Sequence, residues 1–193
     1  MIIGITGTNA AGKESVAGVL QSKGFVQFSC SDAIRDEARS RGLPVDRETL
    51  ITLGNELRGA YGPSVLADRV YRSIKEQGIQ KAIVVSIRNP AEAQALAAHD
   101  NFMLVWVDAL PALRYERSRI RQRDKADVLS FEEFLALEKF EEDAGPTGQR
   151  LRFMKDLASI SIENNGTIQE LEQKIIMQLE SFQEKIVKPL HTG

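Results

Sequence analysis

Apolar positions along the chain follow two rhythms. Short runs of branched and aromatic residues at 2–6, 25–28, 82–86, 102–107 and 160–162 read as buried strands. Longer segments with apolar residues every three or four positions read as helices at 12–22, 31–41, 47–60, 64–76, 90–98, 111–122, 131–143, 150–157 and 168–187. Short apolar runs alternating with helical segments predict an α/β fold in which helices cover a five-stranded parallel sheet. Gly78 and Gly145-Pro146 punctuate the chain, but no repeat or long linker divides it. The pattern predicts one domain over 1–188, with a helical insertion at about 31–76, a shorter one at about 117–130, and a tail at 189–193.

Composition narrows the function. The chain has 193 residues, 42% hydrophobic and 27% charged, as in ordinary globular proteins. Its 25 basic and 27 acidic residues give a net charge of -2, which argues against a nucleic acid or an anionic membrane as partner. One cysteine, Cys30, and two histidines exclude an internal disulfide and a dedicated Cys/His zinc site. The first residues read as a strand and not as a secretion signal, and no apolar run reaches membrane-spanning length, so the expected location is cytoplasmic. The small net charge conceals a local asymmetry. Positions 111–125 carry six basic and two acidic residues, whereas 126–143 carry one basic and seven acidic. An arginine-rich strip suited to a small anion remains compatible with this composition.

The strongest chemical signal is Gly7-Thr8-Asn9-Ala10-Ala11-Gly12-Lys13, set between the first strand and the first helix. This spacing is that of a phosphate-binding loop. Glycines let consecutive N–H groups converge on phosphate oxygens, the helix N-terminus adds its positive dipole, and Lys13 can neutralise a transferring phosphate. The hydroxyl that commonly follows the lysine is displaced by one residue, because Glu14 precedes Ser15. Glu14 suits the first helical turn, and the ending Gly12-Lys13-Glu14-Ser15 resembles the G-K-G-T of adenylate-kinase-type loops, which implies that Ser15 takes the threonine's place and meets magnesium through water.

With this loop and the features that follow it, the chain resembles the P-loop nucleotide kinases, in particular an adenylate-kinase-related, dephospho-CoA-kinase-like group. The resemblance implies ATP and Mg2+ as cofactors and a nucleotide-like small molecule as acceptor. The segment Ser29-Cys30-Ser31-Asp32-Ala33-Ile34-Arg35 is similar to one in which an arginine grips the acceptor's phosphate, and Arg35 holds the matching place. Val84-Val85-Ser86-Ile87-Arg88-Asn89-Pro90 is similar to the segment bearing a second such arginine, here Arg88. It lacks the acid expected near Val84 or Val85. Asn55-Glu56-Leu57-Arg58 resembles an acceptor-side helix, which makes Arg58 a further substrate-binding candidate.

Arg117 and Arg121, four apart on one helical face, and Arg123 beyond them resemble the arginines of a lid that neutralises charge during transfer. Glu163-Asn164-Asn165-Gly166-Thr167 resembles the last-strand loop that shapes the donor adenine pocket, with Asn165 as its candidate contact. Arg35 and Arg88 favour a nucleoside monophosphate. For a hydroxyl acceptor, as in dephospho-CoA phosphorylation, Asp32 would orient or accept the proton; its other reading is a helix cap. The missing acid near Val84 also keeps open a nucleotide-binding regulator with weak catalysis. Neither the acceptor base, the choice of ATP over GTP, nor the oligomeric state follows from the sequence.

Overall fold

The computed structural model describes residues 1–99, 101–121, 129–142 and 151–187. Strands β1 (Ile2–Gly7), β2 (Val26–Ser29), β3 (Ala82–Val85), β4 (Phe102–Asp108) and β5 (Ile160–Glu163) form one sheet in the order β2-β3-β1-β4-β5. Every neighbouring pair is parallel. The helices are α1 (Lys13–Ser22), α2 (Cys30–Ser40), α3 (Arg47–Tyr61), α4 (Val65–Glu76), α5 (Pro90–Ala97), α6 (Pro111–Arg121), α7 (Phe131–Glu142), α8 (Leu151–Leu157) and α9 (Ile168–Val187). Each expected strand and helix is present, with ends shifted by a residue or two.

Alternate side chains of the central strands serve opposite layers. Ile3 and Ile5 of β1, with Met103, Val105 and Val107 of β4, pack beneath α1 and α9 against Val16, Leu20, Leu171 and Ile175. Ile2, Leu104 and Trp106 face the other way, toward Leu53, Leu57, Leu66, Ile74, Leu96 and Met154 on α3, α4, α5 and α8. Burial on both faces explains why these strands read as continuous apolar runs. Each fully buried Leu or Ile contributes roughly 1.5–3 kcal/mol relative to exposure.

Helix starts and strand ends have local causes. Ser29 accepts from the N–H of Ser31 to cap α2, and Asp46 accepts from the N–H of Thr49 to cap α3. Asn89 and Glu92 form a reciprocal capping box on α5, whose first residue is Pro90. β3 ends one residue earlier than expected because Ser86 has φ of 60° and turns the chain out of the sheet. Parallel strands place their carboxyl ends along one edge, and with them the segments at Thr8, Cys30, Ser86, Asp108 and Asn164. Among the described residues no helix is long and apolar enough to cross a membrane.

Candidate active site

The phosphate loop owes its shape to backbone that few side chains permit. Gly7, Ala10 and Gly12 have φ values of 140°, 55° and 93°. A Cβ on Gly7 would lie 1.9 Å from the Val107 carbonyl oxygen, and one on Gly12 would lie 2.2 Å from Nδ2 of Asn164. Glycine is therefore required twice, once by contact with a strand and once by contact with a side chain. Lys13 extends back over the loop, its Nζ donating to the carbonyls of Gly7 at 3.1 Å and Thr8 at 2.5 Å. Gly12 caps α1 without a side-chain bond, and Ser15 donates its backbone N–H to the Gly12 carbonyl. Glu14 and Ser15 are exposed on the first turn of α1, while Asn9 and Ala10 are half-buried and Ala11 is buried.

Three segments brace the loop. Thr8 donates its backbone N–H to Val107 O and its hydroxyl to Asp108 Oδ1, the latter at 2.7 Å. Asn164, buried after β5, donates its amide to Ala11 O at 2.9 Å and its backbone N–H to Asp108 O at 2.8 Å. Arg117 on α6 donates through Nη2 to Asn164 O at 3.0 Å. Its Nη1 is buried with no hydrogen-bond partner among the described residues. A buried, unpartnered guanidinium donor is expensive and accounts for itself when an anion or water completes it. Asn165, the expected base contact, accepts from the Leu110 N–H through Oδ1 at 2.8 Å and so links the turns after β4 and β5. Its neighbour Asn164 makes the contact with the loop.

Across the edge, at the ends of β2 and β3, charge pairing dominates. Arg35 and Asp32 are bonded to each other at 2.6 Å on the surface of α2, an exposed pair that a ligand could open at small expense. Arg58 is bound differently. It donates to Glu92 Oε1 through Nε at 3.3 Å and Nη2 at 2.9 Å, and the Glu92 side chain has no exposure. The other Glu92 oxygen accepts from the N–H groups of Arg88 and Asn89. Glu92 thus caps α5, fixes the turn that carries Arg88, and holds Arg58. The Arg88 side chain itself is exposed at the edge. Cys30 lies in the same electrostatic neighbourhood; burial, reinforced by Glu92, pushes its thiol well above the usual range and keeps it protonated.

The fold therefore gathers Gly7 to Ser15, Arg117 and the 164–165 turn on one side, and Arg58 and Arg88 around Glu92 on the other. Of Arg121 only the backbone, at the end of α6, is described; Arg123, most of the expected lid at 117–130 and the tail at 189–193 lie outside the described residues. Asp108, Asn164 and Glu92 are the site residues that sequence reasoning passed over. Asp108 ends an apolar strand beside the loop and Asn164 adjoins Asn165, two signals that position alone offered. Glu92 occupies the third helical position after Asn89, the spacing of a capping box.

A magnesium ion carried by a nucleotide would meet oxygen donors here. Among the described residues no cluster of three or more His, Cys, Asp or Glu side chains is arranged to hold a metal. Ser15 and Glu14 at the mouth of the loop fit an ion bound chiefly by phosphate oxygens and water.

No family model matches the chain. It is similar to a UPF0200 protein of Pyrococcus horikoshii, 32% identical over 182 residues that cover 91% of this chain and 94% of that protein. A UPF0200/UPF0201 protein of Archaeoglobus fulgidus is 30% identical over 90% of this chain, which spans about half that relative's length, 53%. Among solved structures, the Thermus thermophilus protein TT1252 superposes with a TM-score of 0.61 at 22% identity, covering 94% of this chain and 97% of that one. Shikimate kinase of Acinetobacter baumannii gives 0.57 at 18% identity over 93% of both chains. A gluconokinase of Sinorhizobium meliloti gives 0.55 at 14% identity, covering 98% of this chain and 97% of that one. These likenesses establish the fold as that of the P-loop kinases.

Proposed function

The chain belongs to the UPF0200 family and has the P-loop kinase fold, and from that premise we propose that it is an ATP-dependent phosphotransferase acting on a nucleoside monophosphate. The observation that carries this reading is the phosphate loop itself. Positive φ at Gly7, Ala10 and Gly12 curls the backbone at the mouth of α1, and Lys13 folds over it. Loop N–H groups and the α1 dipole would hold the donor phosphates, and Lys13 would leave the Gly7 and Thr8 carbonyls to neutralise the transferring group. Arg117, whose buried Nη1 has no hydrogen-bond partner among the described residues, would complete that charge stabilisation, joined by Arg121 and Arg123 of the expected lid.

Arg35 and Arg88 would clamp the acceptor phosphate. The exposed Asp32 pair can release Arg35, whereas withdrawing Arg58 would strand the fully buried Glu92. Arg58 accordingly supports the acceptor site by fixing Glu92 and, through it, the Arg88 turn. A monophosphate oxygen already carries charge, so this reaction needs no strong base. Magnesium, held by nucleotide oxygens with Ser15 reaching it through water, would supply charge neutralisation at the phosphates.

Dephospho-CoA-type hydroxyl phosphorylation is the second reading, with Asp32, exposed at the start of α2, as the group nearest to a base. ATP turnover against a panel of nucleoside monophosphates and dephospho-CoA separates the two. Product from a monophosphate, lost in Arg88→Ala, supports the first; product from dephospho-CoA alone supports the second.

A further inference from the structure

We infer that Asp108 is a positioning residue for the donor nucleotide, acting through the Thr8 hydroxyl to set the first half of the phosphate loop. The inference rests on the nucleotide-binding reading above and adds a residue to it. Thr8 is held at several points. Its N–H donates to Val107 O at 3.2 Å, its hydroxyl donates to Asp108 Oδ1 at 2.7 Å, and its carbonyl accepts from Lys13 Nζ at 2.5 Å and also from the Ala11 N–H at 3.4 Å. The first two bonds fasten it to the end of β4 and the third presents its peptide to the loop lysine. Only the hydroxyl bond depends on the side chain at position 8.

Asp108 is itself well anchored. The same Oδ1 accepts from the Ala109 N–H at 2.8 Å and stands 3.6 Å from Arg114 Nε. Arg114 is 6% exposed, donates to Ala109 O at 2.9 Å and is bonded to Glu138 on α7. A carboxylate beside a polyphosphate site would repel the ligand if its charge were unanswered. Here Arg114 stands beside it while also pairing with Glu138, so the Asp108 charge is partly offset and the carboxylate is held as a fixed acceptor next to the loop. The Asp108 carbonyl also accepts from the Asn164 N–H, and Asn164 in turn donates to Ala11 O. Both halves of the loop are thereby referred to one residue, the first through Thr8 and the second through Asn164.

A charge-assisted bond that fixes one peptide of an anion-binding loop preorganises its neighbours. Its loss is read as weaker nucleotide binding more than as a lost fold, since Thr8 is half-buried and β4 keeps its ladder to β1. The test uses the full chain, with ATP binding measured by calorimetry without added metal and thermal unfolding measured alongside. Thr8→Val keeps shape and removes the donor. It is expected to weaken ATP binding about tenfold with little change in unfolding temperature, and Thr8→Ser, which returns the hydroxyl, is expected to recover most of that loss. Asp108→Asn, which keeps an acceptor but loses the charge, should fall between them. Equal ATP affinity in Thr8→Val and the unaltered chain, or no recovery in Thr8→Ser, overturns the role of Asp108. An unaltered chain that binds no ATP overturns the nucleotide reading itself, a result visible before any variant is compared.

Discussion

The two sides of the sheet's carboxyl edge are built from different forces. Around the phosphate loop, position is set by backbone geometry and by bonds made directly to the loop: positive φ at Gly7 and Gly12, Asn164 on the Ala11 carbonyl, the Gly7 and Thr8 carbonyls on Lys13, and the Asp108 carboxylate on the Thr8 hydroxyl. Around α2, α3 and α5, position is set by ion pairs. Arg35 with Asp32 lies on the surface of α2, and Arg41 with Glu37 and Glu56 and Arg69 with Glu37 tie α2 to α3 and α4 in half-exposed positions, whereas Arg58 with Glu92 lies inside. A backbone-built site is preorganised before the ligand arrives. A site built from exposed pairs can exchange partners when an anion enters.

The sharpest break in this comparison is Glu92→Ala. It leaves Arg58 without its carboxylate and removes the acceptor for the Arg88 and Asn89 N–H groups, so stability should fall by about 3–5 kcal/mol in urea unfolding. A fall under about 1 kcal/mol would place Glu92 among the surface pairs. Next comes Gly7→Ala, where a methyl meets the Val107 carbonyl at a φ of 140°; backbone strain of about 1–3 kcal/mol and a loss of ATP binding are expected together. Asn164→Ala strips the Ala11 carbonyl of its buried donor, which should destabilise the chain by about 1–3 kcal/mol and weaken ATP more than the acceptor.

The smallest effects belong to the exposed pairs. Asp32→Asn should change stability by less than about 1 kcal/mol while leaving Arg35 able to bind an acceptor phosphate, so the acceptor KM should hold or fall. Glu37 adds a pH signature. Bonds from Arg69 and then Arg41 hold its carboxyl below its ordinary value, and the Thr49 N–H does the same for the Asp46 cap. A depressed carboxyl contributes stability that is complete above its unfolded value and is lost as pH falls through the folded one. Acid titration below about pH 4 should therefore loosen α2 and α3, and Glu37→Gln should remove part of that dependence; an unchanged acid limb would contradict it.

The sequence was most readable where structure is local. Strand runs, helical spacing and the contiguous stretch from Gly7 to Lys13 carry their geometry within a few residues, and the structure matches them closely. What escaped depends on partners far along the chain. Arg58 meets Glu92 34 residues on, and Thr8 meets Asp108 100 residues on, separations that no periodic pattern encodes. Asn164 and Asn165 differ by one position in a turn, and only the path of the backbone decides which amide reaches Ala11. The acid expected near Val84 is absent from the sequence at the end of β3, and the carboxylate bonded to the loop comes from Asp108, at the end of the strand on the other side of β1.

The central claim is that this loop delivers a phosphoryl group. The direct measurement is product formation from ATP across nucleoside monophosphates, in the unaltered chain and in Lys13→Ala. The account predicts transfer to at least one monophosphate and a loss of about 10²–10³ in kcat on removing the lysine. Tight ATP binding with no product from any acceptor, or turnover indifferent to Lys13, would contradict it.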